Sequence, residues 1–243
     1  MTLNRPDARN ALTWDMYDAL VAACDQAEAA ADVRVLIIRG AGGAFAAGTD
    51  ISQFADFTNG DDGVIYERRL DAVIDRIERV PLVTMAEVDG PAVGGGFAMA
   101  IACDLRICSE RASFGVPVSR TLGNCLSISN TARMVDMLGA ALTRELLVTG
   151  RLMSAEEARA SGLASGRELF ASDRLPEAAM TMAQELATRK RSTIAATKQT
   201  LLRLRDHRRP PQGSADDILR ECYGSEEFQN GVAAFLAKTK SSR

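Results

Sequence analysis

Apolar residues recur at helical spacing through residues 14–30, at Trp14, Tyr17, Leu20, Val21, Cys24 and Ala27, with Thr13 placed to cap the first turn. The period then changes. "VRVLII" (33–38) is a β-branched run ending at glycines, the pattern of a buried strand. Helical spacing returns over 64–80 through Ile65, Leu70, Val73, Ile74 and Ile77, until Pro81 stops it. "PLVTMAEV" (81–88) and "DLRICS" (104–109) predict two more strands. Beyond residue 128 the pattern is almost wholly helical. Ser154 and Glu157 form a capping box there, and Ser172, Ser192, Ser214 and Ser225 are further candidate caps. "RRPPQG" (208–213) reads as a break between two helices, and the opening "MTLNRPDARNAL" as a chain already inside a strand. The fold class is α/β, with strand–loop–helix units stacked in front and helices behind.

Two glycine loops follow strands at equivalent positions, "GAGGAFAAGTDI" (40–51) and "GPAVGGGFAMA" (90–100). Glycine leaves backbone uncovered, and a helix start offers unpaired amides that carry partial positive charge. Two such amides meeting at one point make an oxyanion hole, each donor contributing roughly 2.7–4 kcal/mol at a transition state. One such loop would read as a plain tight turn; two at matching positions point to a ligand. Neither loop is a phosphate loop, because GxxxxGK[ST] and GxGxxG spacings are both missing.

Composition narrows the function further. The net charge of −3 is small and mixed in sign, and the densest basic stretch (Arg203, Arg205, Arg208, Arg209) contains Asp206, so nucleic acid is not an expected partner. Five cysteines form no CxxC pair, which fits reduced thiols in a cytoplasmic protein. His207 is the only histidine, so no metal site is expected, and no apolar run is long enough to imply a membrane.

The ordered set "LNRPDARNAL", "FAAGTDI", "GPAVGGG", "ACDLRICSERASFGVP", "LLVTGRLMSAEEARASGL" and "GVAAFLAKTK" resembles the crotonase, or enoyl-CoA hydratase/isomerase, family over nearly the whole chain. That resemblance implies a β/α superhelix over 1–190 and a C-terminal helical trimerisation region over 191–243, together one functional unit. It implies a homotrimer or hexamer acting on an acyl-CoA thioester, as in fatty acid metabolism, with coenzyme A part of the substrate and no separate cofactor. Carried over, the thioester oxygen falls to the amides of Thr49 and Gly95. Ala47, Asp50 and Ile51 fall along the pantetheine and acyl channel, Asp50 also being placed to cap the turn after its loop. Arg9 and Lys238 fall to the CoA phosphates, with Phe235 entering from a neighbouring subunit.

The chain departs from the family where hydratases carry two glutamates. The first position is Ala98, and the second is Val118, or Ser119 if an insertion is placed earlier. General acid–base catalysis contributes about 10²–10⁴-fold and needs a titratable group in reach. Ser119, Asn124, Cys125, Ser127 and Ser129 supply polar atoms but no evident base, and Ser119 and Ser127 stand as the candidates for a catalytic role. A serine nucleophile would need a base such as histidine, and His207 lies far along the helical rear. Asp56, Glu67 and Asp136 are the carboxylates left to consider. Each reads as a solvated surface group, Glu67 because Arg68 and Arg69 follow it. Decarboxylation fits a site without a base best, with double-bond isomerisation or residual hydration close behind. The alternative is a non-catalytic acyl-CoA binder or assembly protein on the same scaffold. Phe97, Ala98 and Val118 suggest an apolar lining near the reacting carbons.

Overall fold

The predicted periodicities become helices and strands at close to the expected bounds in the computed structural model, which describes residues 1–166 and 168–241. In chain order the elements are β1 (Thr2–Leu3), α1 (Trp14–Ala29), β2 (Val35–Gly40), α2 (Gly60–Arg79), β3 (Val83–Val88), β4 (Pro91–Val93), α3 (Gly95–Ala102) and β5 (Leu105–Cys108). They continue as β6 (Ser113–Gly115), α4 (Ile128–Thr149), β7 (Met153–Ser154), α5 (Ala155–Ala160), α6 (Leu175–Ala187), α7 (Arg191–Arg208), α8 (Asp216–Tyr223) and α9 (Glu226–Ser241).

Four strands form a parallel sheet in the order β1-β2-β3-β5, with Val35 opposite Val83 and Met85 opposite Leu105. Alternate residues face opposite sides, so both faces must be covered. Met85 and Ile107 pack against Leu175, Ala179 and Ala183 of α6. Their neighbours Ala86 and Cys108 join the larger core with Leu20, Ile74 and Phe97 from α1, α2 and α3. Three short strands form a second sheet in the order β4-β6-β7.

The caps explain where several helices start. Thr13 accepts from the Met16 amide, Asn59 and Asp62 make a capping box at α2, and Ser154 and Glu157 make the one expected at α5. Ser225 accepts from the Phe228 amide at the start of α9. The other three expected caps are not caps. Ser172 donates to Asp89, Ser192 lies inside α7, and α8 begins after Ala215. The break at "RRPPQG" does separate two helices, α7 and α8. Glycine breaks α4, because Gly139 adopts φ 74°, ψ 161° within it.

Candidate active site

The two glycine loops leave the C-terminal ends of β2 and β3 and are joined backbone to backbone. The Phe45 and Ala46 amides both donate to the Pro91 carbonyl at 3.0 Å, and the Val93 amide donates to Ala46 at 2.9 Å. The first loop is held from the other side by residues 9–12. Leu12 donates to Gly48 and accepts from Asp50, while the fully buried Asn10 donates to the Ala41 and Ala44 carbonyls. Local sequence thus makes two turns, and long-range pairing sets them side by side.

The triple glycine is needed for that approach. Gly94 has φ +54° at the N-terminal boundary of α3, a conformation that disfavours a side chain. A Cβ on Gly95 would lie 2.3 Å from the Tyr17 hydroxyl, and one on Gly96 would lie 2.4 Å from the Ala46 carbonyl oxygen. Gly95 is therefore the first residue of a helix whose N-terminal amides have no intrahelical partner. Neither its amide nor that of Thr49 donates a hydrogen bond among the described residues, and both residues line the same cavity. The Thr49 hydroxyl faces away from this role, sharing hydrogen bonds with Tyr17 at 2.8 Å and Tyr66 at 2.7 Å.

That cavity has a volume of about 820 Å³. Of the predicted site residues it is lined by Arg9, Ala47, Thr49, Asp50, Ile51, Gly95, Ala98, Val118 and Phe235. Asp50 caps the turn that follows its loop, accepting from the Ser52 amide, and also pairs with Arg5 at 2.6 Å. Burial pushes its carboxyl upward, but the Ser52 and Arg5 hydrogen bonds outweigh this and hold it below the usual carboxylate range. Phe235 reaches the cavity of its own chain, because α9 folds back over residues 51–54 and needs no second subunit to deliver it.

Other predicted residues lie elsewhere. Lys238 is exposed on α9 and outside the cavity wall. The Ser119 hydroxyl donates to the Leu147 carbonyl, away from the cavity. Ser127 caps α4 with its hydroxyl, which also donates to Asp71, so it too is structurally engaged. Cys125 is no activated nucleophile, since its hydrogen bond with Cys222 and its burial both push the thiol up. Asp56 is exposed, and Asp136 pairs with Arg208.

Glu67 overturns its sequence reading. It is 2% exposed and lines the cavity, whereas Arg68 and Arg69 turn outward to Asp216 and Asp18. Its Oε1 accepts from the Tyr223 hydroxyl at 2.7 Å and its Oε2 from the Ser127 amide at 2.9 Å. Tyr223 comes this near because α8 lies on α2 at Gly63, where a Cβ would sit 2.2 Å from the Tyr223 ring. Burial pushes the Glu67 carboxyl up to about 8; the two hydrogen bonds oppose the shift and the Asp71 charge adds to it. Sequence reasoning also passed over Arg5, Tyr66, Asn130 and Leu236, all in the cavity wall.

A raised carboxyl makes stability depend on pH. Glu67 binds its proton more tightly folded than unfolded, so its contribution is full below the unfolded value of 4.5 and is lost as pH climbs toward about 8. The slope is on the order of 1 kcal/mol per pH unit inside that window. Glu67→Gln removes the titration while keeping the shape. Thermal melts from pH 5 to 8 should show the wild type losing stability relative to the variant; a constant gap would contradict the burial of an ionisable group.

A family model described as enoyl-CoA hydratase/isomerase matches residues 1–242. A protein of Bacillus subtilis named a probable enoyl-CoA hydratase is 32% identical over 245 residues, covering 99% of this chain and 92% of its own. Among solved structures, an enoyl-CoA hydratase/isomerase from Xanthobacter autotrophicus superposes with a TM-score of 0.84 at 28% identity, covering 100% of this chain and 93% of that one. A monofunctional enoyl-CoA isomerase from M. smegmatis superposes with a TM-score of 0.69 at 30% identity, covering 84% and 87%.

Proposed function

Because the chain belongs to the enoyl-CoA hydratase/isomerase family, we propose that its cavity takes an acyl-CoA thioester and that the Thr49 and Gly95 amides hold the thioester oxygen while it gains enolate charge. The observation that carries this reading is the pair of undonated amides on two interlocked loops, at residues that line one cavity. Proton loss, decarboxylation and addition next to a thioester all develop charge on that oxygen. Fixed amides stabilise it without reorganising at the moment of reaction. The N-terminus of α3 adds its partial positive charge at the same point.

The mouth suits the other end of the substrate. Arg5, Arg9, Asp7 and Asp50 lie around the cavity, so Arg9 is placed for a CoA phosphate while Arg5 is occupied by Asp50. The acyl end is apolar, through Ala98, Val116, Val118, Leu122 and Leu126. By the resemblance, Ala98 and either Val118 or Ser119 fall where family hydratases carry glutamate, which weighs against ordinary water addition. An assembly of three or six chains accords with exposed Val148, Leu201 and Leu204 on α4 and α7. No helix among the described residues is long and apolar enough to cross a membrane.

The test is a panel of enoyl-, β,γ-enoyl- and malonyl-type CoA esters, with affinity and turnover followed separately. Binding with turnover of at least one ester is expected. Binding without turnover would favour a scaffold that only holds acyl-CoA, and no binding would reject the thioester site.

A further inference from the structure

A cavity without the two usual carboxylates needs another group to move a proton. The cavity's acidic residues, among those described, are Asp7, Asp50 and Glu67. Asp7 is exposed and Asp50 is paired with Arg5, so Glu67 alone presents a buried carboxyl. Resting on the thioester reading, we propose that Glu67 removes a proton from the acyl chain and returns it at another carbon, making the reaction a shift of a double bond rather than an addition of water.

Its placement favours the role. Residues Tyr66, Glu67 and Leu70 of α2 all line the cavity, and Tyr66 bonds the hydroxyl of Thr49, so this turn of helix is tied to the proposed oxyanion donor. Hydrogen bonds from Tyr223 and Ser127 hold the carboxyl, and each of its oxygens keeps a second lone pair. Asn124 Nδ2 donates to the Tyr223 oxygen at 3.1 Å, which turns the Tyr223 proton toward Glu67. Asn124 Oδ1 and Asn130 Nδ2 are buried without partners among the described residues, and both side chains belong to the cavity wall. The polar cluster around Glu67 is therefore incomplete on the side where an acyl chain would lie.

One carboxyl suffices for such a shift. The Glu67 carboxylate takes the α-proton of a β,γ-enoyl thioester, and the C–H electron pair forms a dienolate with its charge on the thioester oxygen. The protonated carboxyl then delivers that proton to the γ-carbon, the double bond comes to rest between α and β, and the carboxylate is regenerated. Hydration would instead demand that a group activate water while a proton reaches a second centre, the work of two carboxylates at positions that by the resemblance fall to Ala98 and to Val118 or Ser119.

The groups facing Glu67 are Tyr66 and Asp71 on its own helix, Tyr17 of α1, the Ser127 amide, Cys125 before α4, and Cys222 and Tyr223 of α8. Arg133 is taken up by Asp71, Asp75 and Glu78, so its charge is shared away from Glu67. The carboxylate is then the minor form at neutral pH and a stronger base than an ordinary carboxylate, and kcat/KM rises with pH through about 8 before levelling off.

The experiment uses the full chain with short- and medium-chain β,γ-enoyl-CoA esters. Formation of the conjugated ester is followed by absorbance, deuterium uptake at the α-carbon by NMR, and affinity by calorimetry. The wild type should isomerise the ester, and Glu67→Gln should lose about 10²–10⁴-fold in kcat with affinity held within roughly threefold. Tyr223→Phe removes a hydrogen bond that favours the charged carboxyl, so the rising limb of its pH profile should move upward. A Glu67→Gln variant with near wild-type kcat overturns the proposal, as does an unmoved limb in Tyr223→Phe should Glu67→Gln not fold. Wild type that binds the esters without isomerising or exchanging them overturns it too, and leaves thioester binding standing. Failure to bind them rejects both readings.

Discussion

Proline at position 95 should lower kcat by about 10²–10³-fold relative to alanine at the same position, when both are built on Tyr17→Phe. The background matters because any Cβ on Gly95 meets the Tyr17 hydroxyl at 2.3 Å, and removing that oxygen opens the space. Position 95 is the first residue of α3, where proline suits the helix and forfeits no intrahelical hydrogen bond. Proline and alanine there both carry a Cβ, but in proline the ring Cδ replaces the amide proton and fills the space that proton pointed into. Comparing the two variants measures the loss of the donor together with the blocking of its site, and comparing alanine with Tyr17→Phe alone measures the cost of the added Cβ. Equal kcat for the folded proline and alanine variants would remove Gly95 from the oxyanion site.

Much of the fold was legible because period-based signals are local. Thr13 with its apolar stripe predicts α1, and "VRVLII" and "PLVTMAEV" predict two strands that pair in the central sheet. The two glycine loops also stood out, since baring backbone requires a residue type that sequence displays directly. What was not legible depends on chain segments far apart. Tyr17, Thr49 and Tyr66 meet through their hydroxyls from three separate elements, and no local pattern marks that meeting. Ser172 has the composition of a cap, but its hydroxyl finds Asp89 in another part of the chain.

Glu67 is a different kind of miss, because its signal was present. Val64, Leu70, Asp71 and Ile74 flank it at three, four and seven positions, all buried on one side of α2. Reading its charge together with adjacent Arg68 and Arg69 put it in solvent, yet on a helix adjacent residues point about 100° apart. Helical phase, not sequence neighbourhood, decides which charges are buried. An acid in phase with an apolar stripe next to a proposed ligand cavity is the pattern that carried the information.

The polar network behind that acid supports the second large prediction. Arg133 is 1% exposed and pairs with Asp71, Asp75 and Glu78, while also donating to Asn130 Oδ1 at 2.9 Å. Arg133→Met keeps much of the apolar bulk but leaves the buried charge of Asp71 without a cation. Removing one partner of a buried ion pair typically costs about 3–5 kcal/mol. Glu78 suffers less, since Arg205 and Arg209 still contact it. Urea denaturation at a fixed protein concentration should show this loss at pH 7. Burial already raises the Asp71 carboxyl while Arg133 pulls it down, so the variant raises it further. Its deficit should therefore shrink as pH falls and Asp71 takes a proton in the variant, disappearing in this component below the wild type's folded value, which burial holds above 3.8. Adding Asp71→Asn should recover part of the loss at neutral pH, because the stranded charge goes with it. A deficit under about 1 kcal/mol, or one unaffected by pH, would mean that water reaches Asp71 and that the wall behind Glu67 is wetter than its burial indicates.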